Sequence, residues 1–549
     1  MFEYDDCSPY PVIRNQQREA IEFALNAFIN EGKKFVVCEL GTGCGKSATG
    51  VTISRYLDKI TPNGCSSYIL TTQKVLQEQY VNDFGPSKSS LLRSIKSSSN
   101  YTCQFYTDQS CGESRRLLNS LKGQIHGTNF WKTCTKNCVY AVEKAAFLNE
   151  KIGVTNFSYF LAETMYAKKL EPRNLLIIDE CHNIESELGK FIEVVFSEKF
   201  AKETLACKLP RVYGDQDRQL KSVFKWVETV YVVKLKQYIA SLQKRLSKLI
   251  ETVEDPNDSE FGMLSKRYEL LDKHICKVNR FISTFDVDNW ILNVVDSTLD
   301  RKSYKKFEFK PINVSVYADE MLYQFGEKVL MMSATIVDKD VFCRTIGLDP
   351  NDVAFLTIPS PFDVKNRPVH ILSTGKMSMN NIEDTLPKMV DIVKMLLDLH
   401  ANDKGIIHAV NYKIAKYLFE NVKDDRLLIH NSENRDIVLM DHIHSSAPTV
   451  LISPSMMEGV NLAGDTSRFQ ILCKIPFPYL GDKVVKKRKA LDPKWYSFQT
   501  AKSIIQAMGR SIRSEDDHAV SYILDEDWKF FYKMNKHMFP VEFSDSLVT

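Results

Sequence analysis

Short apolar runs recur along this chain, and each ends in a polar motif. Phe35-Val36-Val37-Cys38, Tyr68-Ile69-Leu70, Leu175-Leu176-Ile177-Ile178 and Val329-Leu330-Met331-Met332 come first. Gly405-Ile406-Ile407-His408, Val450-Leu451-Ile452, Phe469-Gln470-Ile471-Leu472 and Tyr522-Ile523-Leu524 follow. Runs of this length, separated by stretches of helical period, predict buried strands of parallel sheets in an α/β fold. They form two groups, separated by Pro359-Ser360-Pro361-Phe362. That Pro-rich segment cannot continue a helix or a central strand, which predicts a hinge between two domains. Between Ser197 and Pro311 the strand signal disappears. Leu220–Thr252 and Phe261–Phe285 carry apolar–basic helical periodicity, with a polar turn at Glu254–Asp258. This predicts a helical insert in the first domain, and periodicity alone leaves a regulatory bundle or a spacer open.

A chain of 549 residues is too long for one core, so several domains are expected. Its 44% hydrophobic and 26% charged residues are ordinary for a soluble globular protein. A net charge of +3 is too small to identify a nucleic-acid binder, so any basic channel must come from local clusters. The run Lys483-Val484-Val485-Lys486-Lys487-Arg488-Lys489 is one such cluster, with a solvated helix face as the rival reading. No apolar stretch reaches the ~18 residues of a membrane span. The start, Met1-Phe2-Glu3-Tyr4-Asp5-Asp6, lacks the basic and apolar regions of a signal peptide. An intracellular, soluble protein with no membrane partner is expected, and its 13 cysteines should be thiols or metal ligands. A Ser-rich stretch, Ser87–Ser99, reads as a flexible lead into a cysteine-containing segment.

The chemistry concentrates where the runs end. Gly41-Thr42-Gly43-Cys44-Gly45-Lys46-Ser47 follows one predicted strand and opens a predicted helix, the context that a phosphate loop needs. Its glycines let backbone N–H groups approach phosphates, and the helix N-terminus favours their charge. Lys46 would pair with the β- and γ-phosphates of ATP, and Ser47 would coordinate Mg²⁺. Leu40 occupies the first position of the motif, where glycine is usual. Asp179-Glu180-Cys181-His182 closes another run: one carboxylate to hold Mg²⁺, the next to take a proton from the attacking water. In the second group, Gln506-Ala507-Met508-Gly509-Arg510-Ser511-Ile512-Arg513 puts Gln506, Arg510 and Arg513 on one helix face. Two guanidinium groups aimed at a γ-phosphate can stabilise its developing charge. Cys103, Cys111, Cys134 and Cys138 lie between the phosphate loop and the acidic motif. Four thiolates suffice for one [4Fe–4S] cubane, and Cys₄ suits zinc equally well.

This set of motifs resembles the XPD/DinG-type (Rad3-like) iron–sulfur DNA helicases of superfamily 2. The resemblance extends to Arg14-Asn15-Gln16-Gln17, matching the R-x-x-Q opening near the nucleotide base, and to Thr71-Thr72-Gln73 with Leu76-Gln77-Glu78-Gln79, matching motif Ia beside the nucleic acid. Ser333-Ala334-Thr335 matches motif III, Glu458-Gly459-Val460-Asn461-Leu462 matches motif V with Asn in place of an acid, and Asp525-Glu526-Asp527 falls where relatives carry D-x-R. It implies two RecA-like motor domains, with an iron–sulfur insert and a helical arch in the first. The implied boundaries are 1–100, 140–196 and 318–358 for motor domain 1, 101–139 for the cluster domain, 197–317 for the arch and 359–549 for motor domain 2. It further implies nucleotide contacts from Arg14, Gln17, Gly41, Thr42, Gly43, Cys44, Gly45, Lys46 and Ser47, and Mg²⁺ at Ser47 and Asp179. A 4Fe–4S cluster on the four cysteines is implied, with Tyr101, Phe105, Tyr106, Phe130 and Trp131 either stacking on bases or packing the small domain. The implied activity is ATP-driven 5′→3′ movement of a monomeric motor on single-stranded and forked DNA. A DNA-bound ATPase that acts as a scaffold without robust unwinding is the alternative. A nuclease–motor fusion is disfavoured, because no acidic cluster precedes the loop.

Overall fold

The computed structural model describes residues 2–85, 92–120, 126–252, 259–299, 302–456, 462, 464–509, 512, 514 and 516–548. In chain order the strands are β1 (Phe35–Leu40), β2 (Ser67–Thr71), β3 (Leu92–Ser94), β4 (Ile152–Asn156), β5 (Arg173–Asp179), β6 (Val194–Ser197), β7 (Trp290–Leu299), β8 (Lys302–Pro311), β9 (Gly326–Ser333) and β10 (Val353–Ile358). The second group holds β11 (Val369–Gly375), β12 (Gly405–His408), β13 (Leu427–Ile429), β14 (Val450–Ser453), β15 (Phe469–Leu472), β16 (Val520–Asp525) and β17 (Leu547–Val548). Two seven-stranded sheets result, ordered β10-β1-β9-β5-β2-β4-β3 and β13-β14-β12-β15-β16-β11-β17. The pairings β1–β10, β2–β4, β2–β5 and β3–β4 are parallel, as are those of the second sheet. By compactness the chain divides into Met1–Thr49 with Met331–Arg344 and Asp349–Thr549, and Gly50–Leu330 with Thr345–Leu348.

All eight apolar runs are strands, and the reason is burial on both faces: β2, β12, β14 and β15 are buried at every position. The strands that periodicity missed are short or mixed. β3 and β13 have three residues each, β17 has two, and β4 carries a glycine and an asparagine. β3 also revises part of the Ser-rich stretch, because Leu92–Ser94 pairs in register with Ile152–Val154. Residues 87–91 of that stretch, the turn at Glu254–Asp258, Glu458–Asn461, Arg510, Ser511 and Arg513 lie outside the described residues.

The region between Ser197 and Pro311 corrects the sequence expectation. It holds the helices Gln216–Trp226, Val232–Thr252 and Ser259–Thr284, but it ends in two ten-residue strands. β6, β8 and β7 form an antiparallel sheet in that order, with Phe309 opposite Leu292 and Val194, and Phe307 opposite Val294 and Phe196. Charged residues alternate with the aromatics in Lys305-Lys306-Phe307-Glu308-Phe309-Lys310, which is the period of a half-buried strand. The lysines break the run of apolar residues that marks the other strands, so no strand is expected there from the sequence. The inner face packs aromatics against the helices: Phe281 lies 4.6 Å from Phe309 and 4.9 Å from Trp290, and Phe196 lies 4.9 Å from Tyr231, between ring centroids.

Truncating this core should be costly on one face of β8 and cheap on the outer face of its neighbour. Phe309→Ala, at a fully buried site, should lose ~3–5 kcal/mol in urea unfolding. Val295→Ala, on the exposed face of β7, should stay within ~0.5 kcal/mol of wild type.

Candidate functional site

The phosphate loop leaves β1 at Leu40 and enters the helix Lys46–Ile60, so Lys46 and Ser47 form its first turn. Gly43 and Gly45 have φ of 93° and 76°, a region that side chains rarely enter. A clasp from the helix Asn15–Ile29 holds this shape. Arg14 Nη1 donates to Gly43 O at 2.7 Å, Gln17 Nε2 donates to Gly45 O at 3.4 Å, and Gln17 Oε1 accepts from Arg14 N at 2.9 Å. A methyl group at Gly45 would lie 2.3 Å from Gln17 Nε2, so the clasp and the glycine require each other. From the other side, Gly41 N donates to Ile358 O, Ser360 Oγ donates to Thr42 O at 2.8 Å, and the Cys44 thiol donates to Pro359 O at 3.4 Å. The Pro-rich segment is therefore packed on the loop, with Phe362 against Gly43. Thr42 contributes its backbone carbonyl and Cys44 its thiol, which burial pushes up to about 11.

Glu39 has no counterpart among the residues singled out from sequence, although a lone acid in an apolar strand signals a buried partner. Its Oε1 accepts N–H from Ile336 at 2.6 Å and Val337 at 3.0 Å, and its Oε2 accepts from Thr357 Oγ1 at 3.2 Å. Burial raises its carboxyl above the ordinary range, against the pull of these bonds. Ser333 ends β9, Ala334 and Thr335 follow it directly, and Val337 has a φ of 71°.

Asp179 ends β5 and is buried. Its Oδ1 accepts from Glu180 N at 3.0 Å, and its Oδ2 accepts from Tyr80 Oη at 3.0 Å. Tyr80 sits on the helix Lys74–Phe84, which begins just after Thr71-Thr72-Gln73. Nothing local marks it, since the two residues are 99 positions apart. Glu180 is in the left-handed region at φ 52° and ψ 47°, a strained place for a non-glycine residue. His182 Nδ1 lies 3.3 Å from Glu180 Oε2. Cys181 is fully buried filler. Gln77 is also fully buried and donates to Ile95 O at 2.8 Å, so it anchors the helix rather than facing solvent. Gln506 lies in the helix Pro493–Met508, and its Oε1 is buried with no hydrogen-bond partner among the described residues.

Cys103, Cys111, Cys134 and Cys138 are all at least 97% buried, with relative exposures of 3%, 1%, 2% and 3%. They stand as two pairs. Cys111 and Cys138 are 3.6 Å apart, and Cys103 shares a hydrogen bond with Cys134. Among the described residues no three His, Cys, Asp or Glu side chains close on a single ion. The donor set does fit a thiolate-bound group. The Cys103 sulfur accepts N–H from Phe105 at 3.4 Å and Tyr106 at 3.3 Å. Its thiol falls to about 5 through the Cys134 bond, while burial and Cys138 push Cys111 up. The charge of each pair is felt by the other. The aromatic residues around them pack: Tyr106 and Phe130 are buried, 5.0 Å apart, and Tyr106 lies 4.9 Å from Phe261 of the helix Ser259–Thr284. Tyr101 lies edge-on to Tyr140 at 5.3 Å, and Trp131 lies 4.3 Å from His126.

At the carboxyl end of the second sheet, Asp525 accepts N–H from Ile475 at 2.9 Å, Asp527 at 3.1 Å and Met377 at 3.3 Å. It is a buried loop anchor, and burial raises its carboxyl.

Residues 400–543 match the helicase C-terminal domain family, and residues 11–206 match the type III restriction enzyme res-subunit family. The ATP-dependent DNA helicase DinG of Photobacterium profundum is 26% identical over 255 residues, which is 42% of this chain and 36% of that protein. The match thus spans about a third of that relative's length. The ATP-dependent DNA helicase YoaA of Haemophilus influenzae is 21% identical over 90% of this chain and 88% of its own. An XPD helicase structure shares the fold with a TM-score of 0.61 at 16% identity, covering 96% of this chain and 98% of that one. The structure of S. tokodaii Xpd4 does so at 0.58 and 14%, covering 97% and 99%.

Removing only the Tyr80 hydroxyl should loosen Asp179 without opening a cavity. Tyr80→Phe should raise the Mg²⁺ concentration for half-maximal ATP hydrolysis by about two- to tenfold, the worth of one hydrogen bond. A Mg²⁺ titration of the ATPase rate checks this.

Proposed function

The chain is an XPD/DinG-like superfamily 2 helicase, and on that premise we propose that it is an ATP-dependent DNA helicase that moves 5′→3′ along single-stranded DNA. The observation that carries the reading is the clasped phosphate loop, with its positive-φ glycines at the carboxyl end of a parallel strand and the opening of a helix. Backbone N–H groups there would bind phosphates, with Lys46 on the β- and γ-phosphates. Mg²⁺, held by Ser47 and Asp179, would neutralise charge developing on the transferred phosphoryl group. Glu180 would accept the proton of the attacking water, and His182 beside it would orient its carboxylate. Gln506 has an unspent acceptor for the same chemistry, and Arg510 and Arg513 would complete it as arginine fingers.

Cys103, Cys111, Cys134 and Cys138 would hold a 4Fe–4S cluster in a domain spanning about 101–139. Four buried thiols standing as two close pairs, one already acidic and receiving two N–H bonds, support this. Residues 197–317 would form the arch domain, closed by the β7–β8 pair. The two parallel sheets would be the motor domains, and a single chain would suffice as the motor.

Direction is the decisive test. A duplex with a 5′ single-stranded overhang should be unwound in ATP and Mg²⁺, and one with only a 3′ overhang should not. Unwinding of the 3′-overhang substrate alone overturns the polarity. Glu180→Gln should bind ATP yet lose more than about 100-fold in turnover, as expected when a positioned base is removed. ATP hydrolysis that proceeds normally without any unwinding favours the scaffold reading.

The cluster has its own measurement. Anaerobically purified protein should carry about four irons per chain. Cys→Ser at any of the four positions should remove them, together with the visible absorption, while part of the ATPase survives. Stoichiometric zinc would overturn the assignment.

A further inference from the structure

The Pro-rich segment after β10 reads in the sequence as a hinge, yet it lies directly on the phosphate loop as a strap. Two of the loop's glycines make room for it. A methyl group at Gly41 would lie 2.3 Å from Ser360 N and 2.7 Å from Ser360 Cα, and one at Gly43 would lie 2.4 Å from Cζ of the Phe362 ring. Both are closer than real contacts come, and at Gly41 the obstacle is backbone, which cannot swing aside. These glycines therefore answer to the strap as well as to phosphate.

Ser360 adds direction to this contact. Its Oγ donates to Thr42 O at 2.8 Å. A trans peptide points its carbonyl and its N–H opposite ways, so this bond fixes the Gly43 N–H together with the Thr42 carbonyl. Arg14 fixes the next peptide in the same way, through Gly43 O. Ser360 is itself held, its N–H donating to Glu542 Oε1 at 3.3 Å.

Phe362 links two segments. It is buried, meets Gly43, and belongs to one apolar cluster with Ile512 and Ala519. Ile512 stands between Arg510 and Arg513 in the sequence. Arg367 Nη2 donates to Phe362 O at 3.4 Å, and Ala519 N, just before β16, donates to Asn366 O at 2.9 Å. One ring is thus common to the phosphate loop and the segment that carries the arginines.

We propose that Ser360 and Phe362 are positioning residues for ATP hydrolysis: Ser360 holds the phosphate loop in its binding shape, and Phe362 sets the arginine segment relative to that loop. The proposal deepens the ATPase reading and rests on it. The two residues act at different stages. Ser360 orients a peptide of the loop that binds phosphates in the ground state, so its loss weakens nucleotide binding. Phe362 acts through Arg510 and Arg513, whose charge is needed as the phosphoryl group transfers, so its loss slows turnover.

The test uses the full chain, with binding of the fluorescent nucleotide mant-ADP in Mg²⁺ and ATP turnover on single-stranded DNA as readouts. Ser360→Ala should weaken mant-ADP binding about two- to tenfold, the worth of one hydrogen bond, with kcat within about twofold of wild type. Phe362→Leu, which stays apolar, should lower kcat about tenfold or more, on the scale that misplaced groups cost an enzyme, while mant-ADP binds as it does to wild type. Phe362→Met gives the same reading should the leucine variant not fold. Far-UV circular dichroism and melting curves without nucleotide show that the variants are folded. If wild type does not bind mant-ADP, the ATPase reading itself fails. If wild type binds and hydrolyses, and either Ser360→Ala matches it in affinity or Phe362→Leu matches it in kcat, the proposal is overturned. A lower melting temperature with both constants unchanged makes the strap a structural brace only, and equally overturns it.

Discussion

One half-buried carboxylate ties together three segments at the edge of the first sheet. Glu39 takes hydrogen bonds from Ile336, Val337 and Thr357, residues 297, 298 and 318 positions away. The phosphate loop leaves β1 one residue later, Ser333-Ala334-Thr335 leaves β9 just before Ile336, and the Pro-rich segment leaves β10 just after Thr357. Three strand exits are thus tied at a single side chain. Desolvating an acid is costly, and the cost is offset only while all three donors are present. The arrangement therefore favours the three segments moving as one.

Much of this was legible before any coordinates. Strands buried on both faces advertise themselves as apolar runs, and the phosphate loop, the Asp179-Glu180 pair and the four cysteines are local spellings. What escaped was of two kinds. The first is pairing across long sequence distance: Tyr80 on Asp179, or Glu39 on Ile336, leaves no periodic trace. The second is a half-buried strand rich in lysine. In β8 charged residues alternate with Phe307 and Phe309, so no apolar run marks the strand and only its two-residue period could have done so. Gln77 shows the converse error. Its motif placed it beside nucleic acid, while full burial makes it an anchor.

Asp179 and Asp525 show how one position serves two purposes. Each ends a strand and receives N–H groups from the chain that follows. Asp179 spends one oxygen on Glu180 N and the other on the Tyr80 hydroxyl, 99 positions away. Asp525 spends its oxygens on three backbone groups from separate loops, which leaves it committed to holding the edge in shape.

The packing of Tyr106 on Phe261 sets an order of events during synthesis. Cys138, the last of the four thiols, is made 123 residues before Phe261, whose helix covers the segment. At roughly 5–20 residues per second, that separation lasts about 6–25 s. For that interval the nascent cysteines lack their cover, and whatever they are to hold can reach them. Once the helix Ser259–Thr284 has folded onto Tyr106, access requires that contact to open again. For the proposed cluster, loading on the ribosome and repair of a mature chain would therefore be different problems, the second carrying a barrier that the first does not.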